Sequence, residues 1–238
     1  MATGRNITII GGGILGASIA WHLVEAGANV TLITGSRGGI ATPNSFAWIN
    51  ANWGNPEPYF HLRRAAMAGW HRLAVSVPGI RPDWNGSICY DLPPERLAAF
   101  AAEHSAWGYG VTKISRQQIA ALEPHIATPP EWALKIDEEG MIEPVAATLA
   151  LIDEASRRGA RVIDDADVLQ LSMTGSRVTG VVTRSGLIET DEVVLAAGAA
   201  TVELAASAGV SVPVDSSPGL LVETKPAAPL IHHIIVAP

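Results

Sequence analysis

Gly11, Gly13 and Gly16 stand at the spacing G-x-G-x-x-G, directly after an apolar run of Ile7, Ile9 and Ile10. In such a pattern the first glycine turns the chain sharply out of a strand. The second removes a Cβ that would block a pyrophosphate, and the third lets helix and strand pack closely. The chemistry is dinucleotide binding: the first N–H groups of a helix face phosphates, and the helix dipole favours negative charge. The glycines alone are weak, so the elements around them matter. Residues 14–24 read as a helix closed at Glu25, Ala26 and Gly27, and residues 30–33 return as a strand. A tight turn in a glycine-rich chain is one alternative, and a signal peptide with Arg5 before an apolar stretch is another. Three consecutive glycines, with His22 and Glu25 on the helix, fit a packed domain better.

Other residues with chemical potential are less decisive. Thr34, Ser36, Arg37, Thr42 and Ser45, interspersed with Gly35, Gly38 and Gly39, suit a loop close to a phosphate or ribose, or a solvated linker. Trp48, Asn50, Asn52, Trp53 and Asn55 mix aromatic rings with amides. Such segments line ligand sites, or form buried turns in which amides cap backbone groups. Residues 58–74 read as a helix with an apolar stripe of Leu62, Ala65, Ala66, Gly69, Trp70 and Leu73. Its other face carries His61, Arg63, Arg64, His71 and Arg72, a solvated basic face unless His61 or Arg64 meets a substrate carboxylate. No metal site is expected. His61 and His71 lack a carboxylate pair, and His232-His233 lacks a partner ligand and reads as an edge strand.

The elements that must position these residues form an α/β chain. At 238 residues, 48% hydrophobic and 16% charged, it can bury a substantial core as one large or two small domains. Net charge is −7, with no basic cluster, which disfavours nucleic acid. One cysteine, Cys89, excludes an internal disulfide, so a cytoplasmic location is expected. No apolar run reaches the roughly 20 residues that span a bilayer. Residues 76–138 are punctuated by prolines, with a strand over 87–92, a helix from 93 to about 107, a helix over 115–122 capped by Ser115 with Gln118 at N3, and a strand over 132–136. Residues 145–158 form a helix begun by Pro144 and closed by Gly159, followed by a strand over 161–163. Three β runs follow, over 168–173, 177–184 and 187–190, and then a buried strand from Val193 that ends on Ala196, Ala197 and Gly198. Small residues at a strand's carboxyl end leave room for a ligand. Strands are expected at 220–224 and 230–238, and the apolar last residues suggest an end that is cut.

Together these segments resemble the FAD-dependent amino-acid oxidases of the D-amino-acid oxidase, glycine oxidase and sarcosine oxidase group. Gly11, Gly13 and Gly16 look like the family's pyrophosphate turn. Residues 41–45 lie where its Ser-rich loop approaches the flavin, and Gly140 to Pro144 resembles the opening of its crossover helix. Residues 178–186 look like its β-meander, and residues 194–198 like its second flavin contact. Residues 45–52 and 217–221 are more similar to bacterial opine or cyanide-forming oxidase subunits. Thr34 stands where the family places an acidic ribose ligand.

The resemblance implies a Rossmann-like FAD-binding domain of glutathione-reductase type, a βαβ unit plus β-meander, over 1–80 and 140–208. An inserted α+β substrate domain, incomplete, would take 81–139 and 209–238. FAD is the implied cofactor, held by Gly11, Gly13, Gly16, Thr34, Arg37, Thr42, Ser45, Val168, Ala197 and Gly198, with His61 and Arg64 toward substrate and no catalytic base assigned. The implied reaction oxidises the C–N bond of an amino acid or secondary amine by hydride transfer to flavin. An NADP-dependent reductase, suggested by Thr34 and Arg37, and a flavoprotein subunit without activity of its own are the alternatives. Family members are longer, so a fragment, a truncation, completion by a second chain, or a homo-oligomer are all expected forms.

Overall fold

A computed structural model describes residues 4–52, 54–215, 217 and 219–238. Trp53 and Pro218, both part of motifs named above, lie outside them. Chain order begins β1 (Asn6–Ile10), α1 (Ile14–Glu25), β2 (Asn29–Ile33), β3 (Trp48–Ile49), α2 (Glu57–Ser76), β4 (Ser87–Cys89) and α3 (Pro94–Ala106). It continues with β5 (Val111–Ser115), α4 (Arg116–Leu122), β6 (Trp132–Ile136), β7 (Gly140–Met141), α5 (Pro144–Arg157) and β8 (Arg161–Ile163). The last elements are β9 (Val168–Thr174), β10 (Arg177–Thr183), β11 (Gly186–Glu189), β12 (Glu192–Leu195), α6 (Thr201–Ala206) and β13 (Ile234–Val236).

The chain divides into two compact units. The first takes the chain through Ser45, Val77–Ile80 and Glu143–Leu221. Its parallel sheet has the order β12-β1-β2-β8. Ile9 lies between Leu32 of β2 and Val194 of β12. Ile7, Ile9 and Ile10 are buried, as an apolar run in a parallel strand requires. Helix α1 buries Ala17, Ala20 and Trp21 and packs against α5. The Glu143 carboxylate caps α5 by accepting from the Val145 and Ala146 N–H groups, and Pro144 occupies the first turn, where no N–H is missed. The antiparallel meander β9-β10-β11 closes over a core of Ile10, Ile33, Leu171, Val181 and Leu204.

The second unit takes Phe46–Ser76, Arg81–Ile142 and Val222–Pro238. Its sheet has the order β13-β4-β6-β5, with β13 parallel to β4 and the other pairs antiparallel. The sheet packs over Ile88, Ile114, Ile119 and Ala133. Helix α4 opens with a full capping box of Ser115 and Gln118. A short ribbon pairs Trp48 with Met141 and Ile49 with Gly140. Residues 46–76 therefore group with the second unit, and residues 209–221 with the first.

Three expectations change. Residues 220–224 form no strand: Leu220 is 90% exposed and Val222 74%, and among the described residues no neighbouring strand supplies the hydrogen bonds such a run needs. The last strand shrinks to β13, which does lie at a sheet edge. The buried stripe of α2 is rotated. Phe60, Met67 and Leu73 are buried, while Leu62 is 64% exposed and Arg63 and Arg64 turn partly inward. No helix among the described residues is long and apolar enough to cross a membrane.

Candidate functional site

The glycine turn is shaped by close approaches. Gly11 has φ 120°, and a Cβ there would stand 2.2 Å from the Ala196 carbonyl oxygen. Its N–H donates to the Ile33 carbonyl at 2.9 Å, while the Ala196 N–H donates to Ile10 at 2.8 Å. The carboxyl ends of β1, β2 and β12 are thus gathered at one point. A Cβ on Gly16 would lie 1.8 Å from the Gly11 carbonyl oxygen, the close helix–strand contact inferred from the spacing. Gly13 differs. It is the N-cap of α1, with extended backbone and no side-chain cap, and a Cβ there would meet nothing nearer than Thr42 Oγ1 at 3.3 Å.

The loop after β2 folds back over this turn. The Gly38 N–H donates to the Gly12 carbonyl at 2.9 Å, and a Cβ on Gly39 would lie 2.9 Å from Gly13 Cα. Thr34 is buried. Its hydroxyl donates to the Ser36 carbonyl at 2.7 Å and accepts from the Ser36 N–H at 3.1 Å. Thr42 Oγ1 accepts from the Ile14 N–H at 3.1 Å, which ties the loop to the first residue of α1. The Ala166 N–H donates to the Thr34 carbonyl at 3.2 Å, so the approach to β9 and Val168 lies beside the same strand end. Gly198, at φ 58°, turns the chain after β12 and Ala197. Ser45 is exposed at the end of this stretch.

Arg37 does not join the group. Its guanidinium forks onto Asp164 at 2.8 and 2.9 Å and reaches Asp153 at 2.9 Å. The Arg37 hydrogen bond holds the Asp164 carboxyl below its ordinary value, and the guanidinium is pinned on these two carboxylates. The arginine that suggested a phosphorylated ribose is committed elsewhere.

What remains is bare backbone at Gly13, beside Thr42 and the first N–H groups of a 12-residue helix. A diphosphate needs such a surface free of Cβ atoms, and these residues fit FAD's diphosphate. A family model described as FAD dependent oxidoreductase (DAO) matches residues 6–238. The chain belongs to this FAD dependent oxidoreductase family. It is 32% identical over 224 residues to 4-methylaminobutanoate oxidase (formaldehyde-forming) of Paenarthrobacter nicotinovorans, covering 90% of this chain and 27% of that protein. It is 28% identical over 201 residues to glycine oxidase of Bacillus licheniformis, covering 80% and 53% respectively. Among solved structures, L-proline dehydrogenase from P. horikoshii superposes with a TM-score of 0.81 at 22% identity, over 90% of this chain and 58% of that one. The chain thus spans about half or less of the length of these curated relatives. The fold is the Rossmann-like one of FAD-dependent amino-acid oxidases.

The charged residues of the second unit are firmly placed. Arg64 donates to the Gly108 carbonyl at 2.7 Å, pairs with Glu138 at 3.0 Å and lies over the Phe60 and Tyr109 rings. His61 is exposed, 3.5 Å from Glu57. Arg63, assigned to a solvated face, instead reaches the Asn50 carbonyl at 3.1 Å, the Asn52 carbonyl at 3.0 Å and Asn50 Oδ1 at 2.5 Å. Beyond it lies a buried carboxylate, Glu139, which accepts from Trp48 Nε1 at 2.9 Å and from the Tyr109 hydroxyl. Burial pushes Glu139 up to about 7, against hydrogen bonds from Ser87, Tyr109 and Trp48 and the charge of Arg63. Burial also pushes the Cys89 thiol up to about 12, which makes it an inert core thiol. Neither Glu139 nor Arg63 had a distinguishing sequence signal: each joins residues far away in the chain. Among the described residues no group of acidic, histidine or cysteine side chains forms a metal site.

Proposed function

We propose that the first unit binds FAD and that the protein oxidises the C–N bond of an amino acid or secondary amine. The supporting observation is the Cβ-free backbone of Gly13 at the start of α1, beside the Thr42 hydroxyl. The α1 N–H groups and dipole take the diphosphate. Thr42 accepts from Ile14, and its hydroxyl proton, for which no acceptor stands among the described residues, serves a phosphate oxygen. Thr34, buried and bonded to Ser36 both as donor and as acceptor, shapes the loop on the ribose side. The chemistry that bound FAD supplies is two-electron acceptance: hydride leaves the carbon beside the amine nitrogen, and the resulting imine is hydrolysed by water. Ala197, Gly198, Ser45 and Val168 complete the cofactor's surroundings. The second unit provides the substrate side through the amide-rich residues 48–52 and the exposed His61. Arg64 serves there as a brace. A second chain, a homo-oligomer or further residues of a longer protein are the ways in which the substrate site is completed, and the lone Cys89 is in keeping with a cytoplasmic location.

The test is the visible spectrum of the purified protein, with and without added FAD, followed by turnover of 4-methylaminobutanoate and glycine with an artificial electron acceptor. A flavin spectrum perturbed by binding and amine-dependent bleaching are expected. A protein that takes up no FAD overturns the reading; one that holds FAD but oxidises no amine, alone or with a partner, leaves the non-catalytic flavoprotein subunit.

A further inference from the structure

We propose that Glu139 is the positioning residue of the loop over residues 48–52, acting through Trp48 and Tyr109. The proposal rests on the reading above, in which this loop belongs to the substrate side. Glu139 has no exposed surface. Its Oε2 accepts from Trp48 Nε1, and its Oε1 accepts from the Tyr109 hydroxyl. The Tyr109 oxygen in turn accepts from the Ala51 N–H at 3.0 Å. One carboxylate therefore reaches the side chain of residue 48 and the backbone of residue 51. Arg63 grips the same loop from α2 at the Asn50 and Asn52 carbonyls. Asn52 Nδ2 donates to Cys89 Sγ at 3.4 Å. Entry to the loop is strained, with Ala47 at φ 51°, a conformation that persists only where surrounding contacts impose it.

The groups facing Glu139 leave it as the switchable member. Arg63 on α2 contributes a positive charge that favours the Glu139 anion. Burial pushes Tyr109 up, and it pushes Cys89 on β4 up to about 12, so both keep their protons. Asp91 acts on Cys89, and Glu138 acts on Tyr109. Glu139 itself sits at about 7. As an anion it accepts from both Trp48 and Tyr109. Once protonated it keeps one good acceptor for the indole, which can only donate, and turns its own O–H toward a neighbouring hydroxyl oxygen, that of Tyr109 or that of Ser87. With either, Tyr109 no longer donates to an anion, and its hold on the Ala51 N–H changes. The indole of Trp48 and the amide of Ala51 are thereby coupled to one proton.

The experiment follows both groups in the full-length protein by ¹H–¹⁵N NMR between about pH 5 and pH 9, a window centred on the raised value. Trp48→Phe assigns the indole, and selective labelling of the Asn50–Ala51 pair, which occurs once in the sequence, assigns the amide. In the unmodified protein the two signals are expected to move together with one midpoint near neutrality, while the Trp21 indole stays still. Glu139→Gln abolishes both movements. Tyr109→Phe abolishes the Ala51 movement alone, which keeps the test decisive should Glu139→Gln fold poorly. Signals that do not move, or that move unchanged in Glu139→Gln, overturn the proposal. In the FAD-loaded protein, kcat/KM for 4-methylaminobutanoate is expected to follow the same midpoint and to lose it in Glu139→Gln. A protein that binds no FAD and oxidises no amine defeats the functional reading, while the NMR signals still decide the role of Glu139.

Discussion

A methyl group added at Gly16 would stand 1.8 Å from the Gly11 carbonyl, whereas one added at Gly13 has Thr42 Oγ1 as its nearest neighbour at 3.3 Å. The two glycines are thus separable. Gly16→Ala forces helix and strand apart and is expected to cost about 3 kcal/mol or more in urea unfolding. Gly13→Ala is expected to leave the FAD-free protein within about 1 kcal/mol of the original. It should nevertheless weaken FAD at least about ten-fold, roughly 1.4 kcal/mol, in a flavin-fluorescence titration. Glu139 supplies the pH dependence. Its folded value of about 7 lies above the ordinary 4.5, so the proton stabilises the fold. That contribution is full below the ordinary value and is lost as pH rises through about 7, about 3 kcal/mol in all. Unfolding midpoints should fall between pH 5 and pH 8, and Glu139→Gln should flatten the slope. Glu123 works in the opposite direction. Burial pushes it up, but the His233 ring and the His232 and His233 N–H groups outweigh burial and hold it below its ordinary value. Its stabilisation is therefore lost as pH falls.

At the scale of elements, Glu123 is a latch. It follows α4, is fully buried, and accepts from the His232 N–H at 2.9 Å and the His233 N–H at 2.7 Å, just before β13. Glu123→Ala is expected to speed hydrogen exchange in β13 and β4 while leaving the β1–β2 pair unchanged. Arg63→Gln should do the same for residues 50–52, since two carbonyls lose charged donors that cost about 1–3 kcal/mol to leave unpaired. These cases show where the sequence was readable. The βαβ turn, the meander, the Pro144 start of α5 and the Ser115–Gln118 box are set by neighbours along the chain, and their patterns are legible. The rotated face of α2 was not, because Arg63 and Arg64 satisfy their charges on Asn50, Asn52, Gly108 and Glu138, partners that no local pattern names. The ribbon of β3 and β7 has two residues in each strand, too few to show a period. At 220–224 a strand-like apolar start, Leu220-Leu221-Val222, has no partner strand among the described residues, and local preference could not supply one.

For the whole molecule, the division into two units makes cofactor binding a directional probe. FAD bound to the first unit at 100 times its Kd should add about 2.7 kcal/mol to that unit's stability. Hydrogen exchange is expected to slow in β1, α1 and β12 and to change far less in β5 and β6. Equal protection throughout would place the cofactor's contacts elsewhere. The meeting of Gly11 with Ala196 has a further consequence, one of timing. A chain leaving the ribosome exposes the glycine turn early, but the wall opposite it is the end of β12, and the two are separated by the entire second unit's central segment. Until that late strand has emerged and paired with β1, the turn has only one side. Cofactor loading must therefore wait until the chain has been made past Leu195, and a nascent chain released before that would leave the ribosome empty-handed.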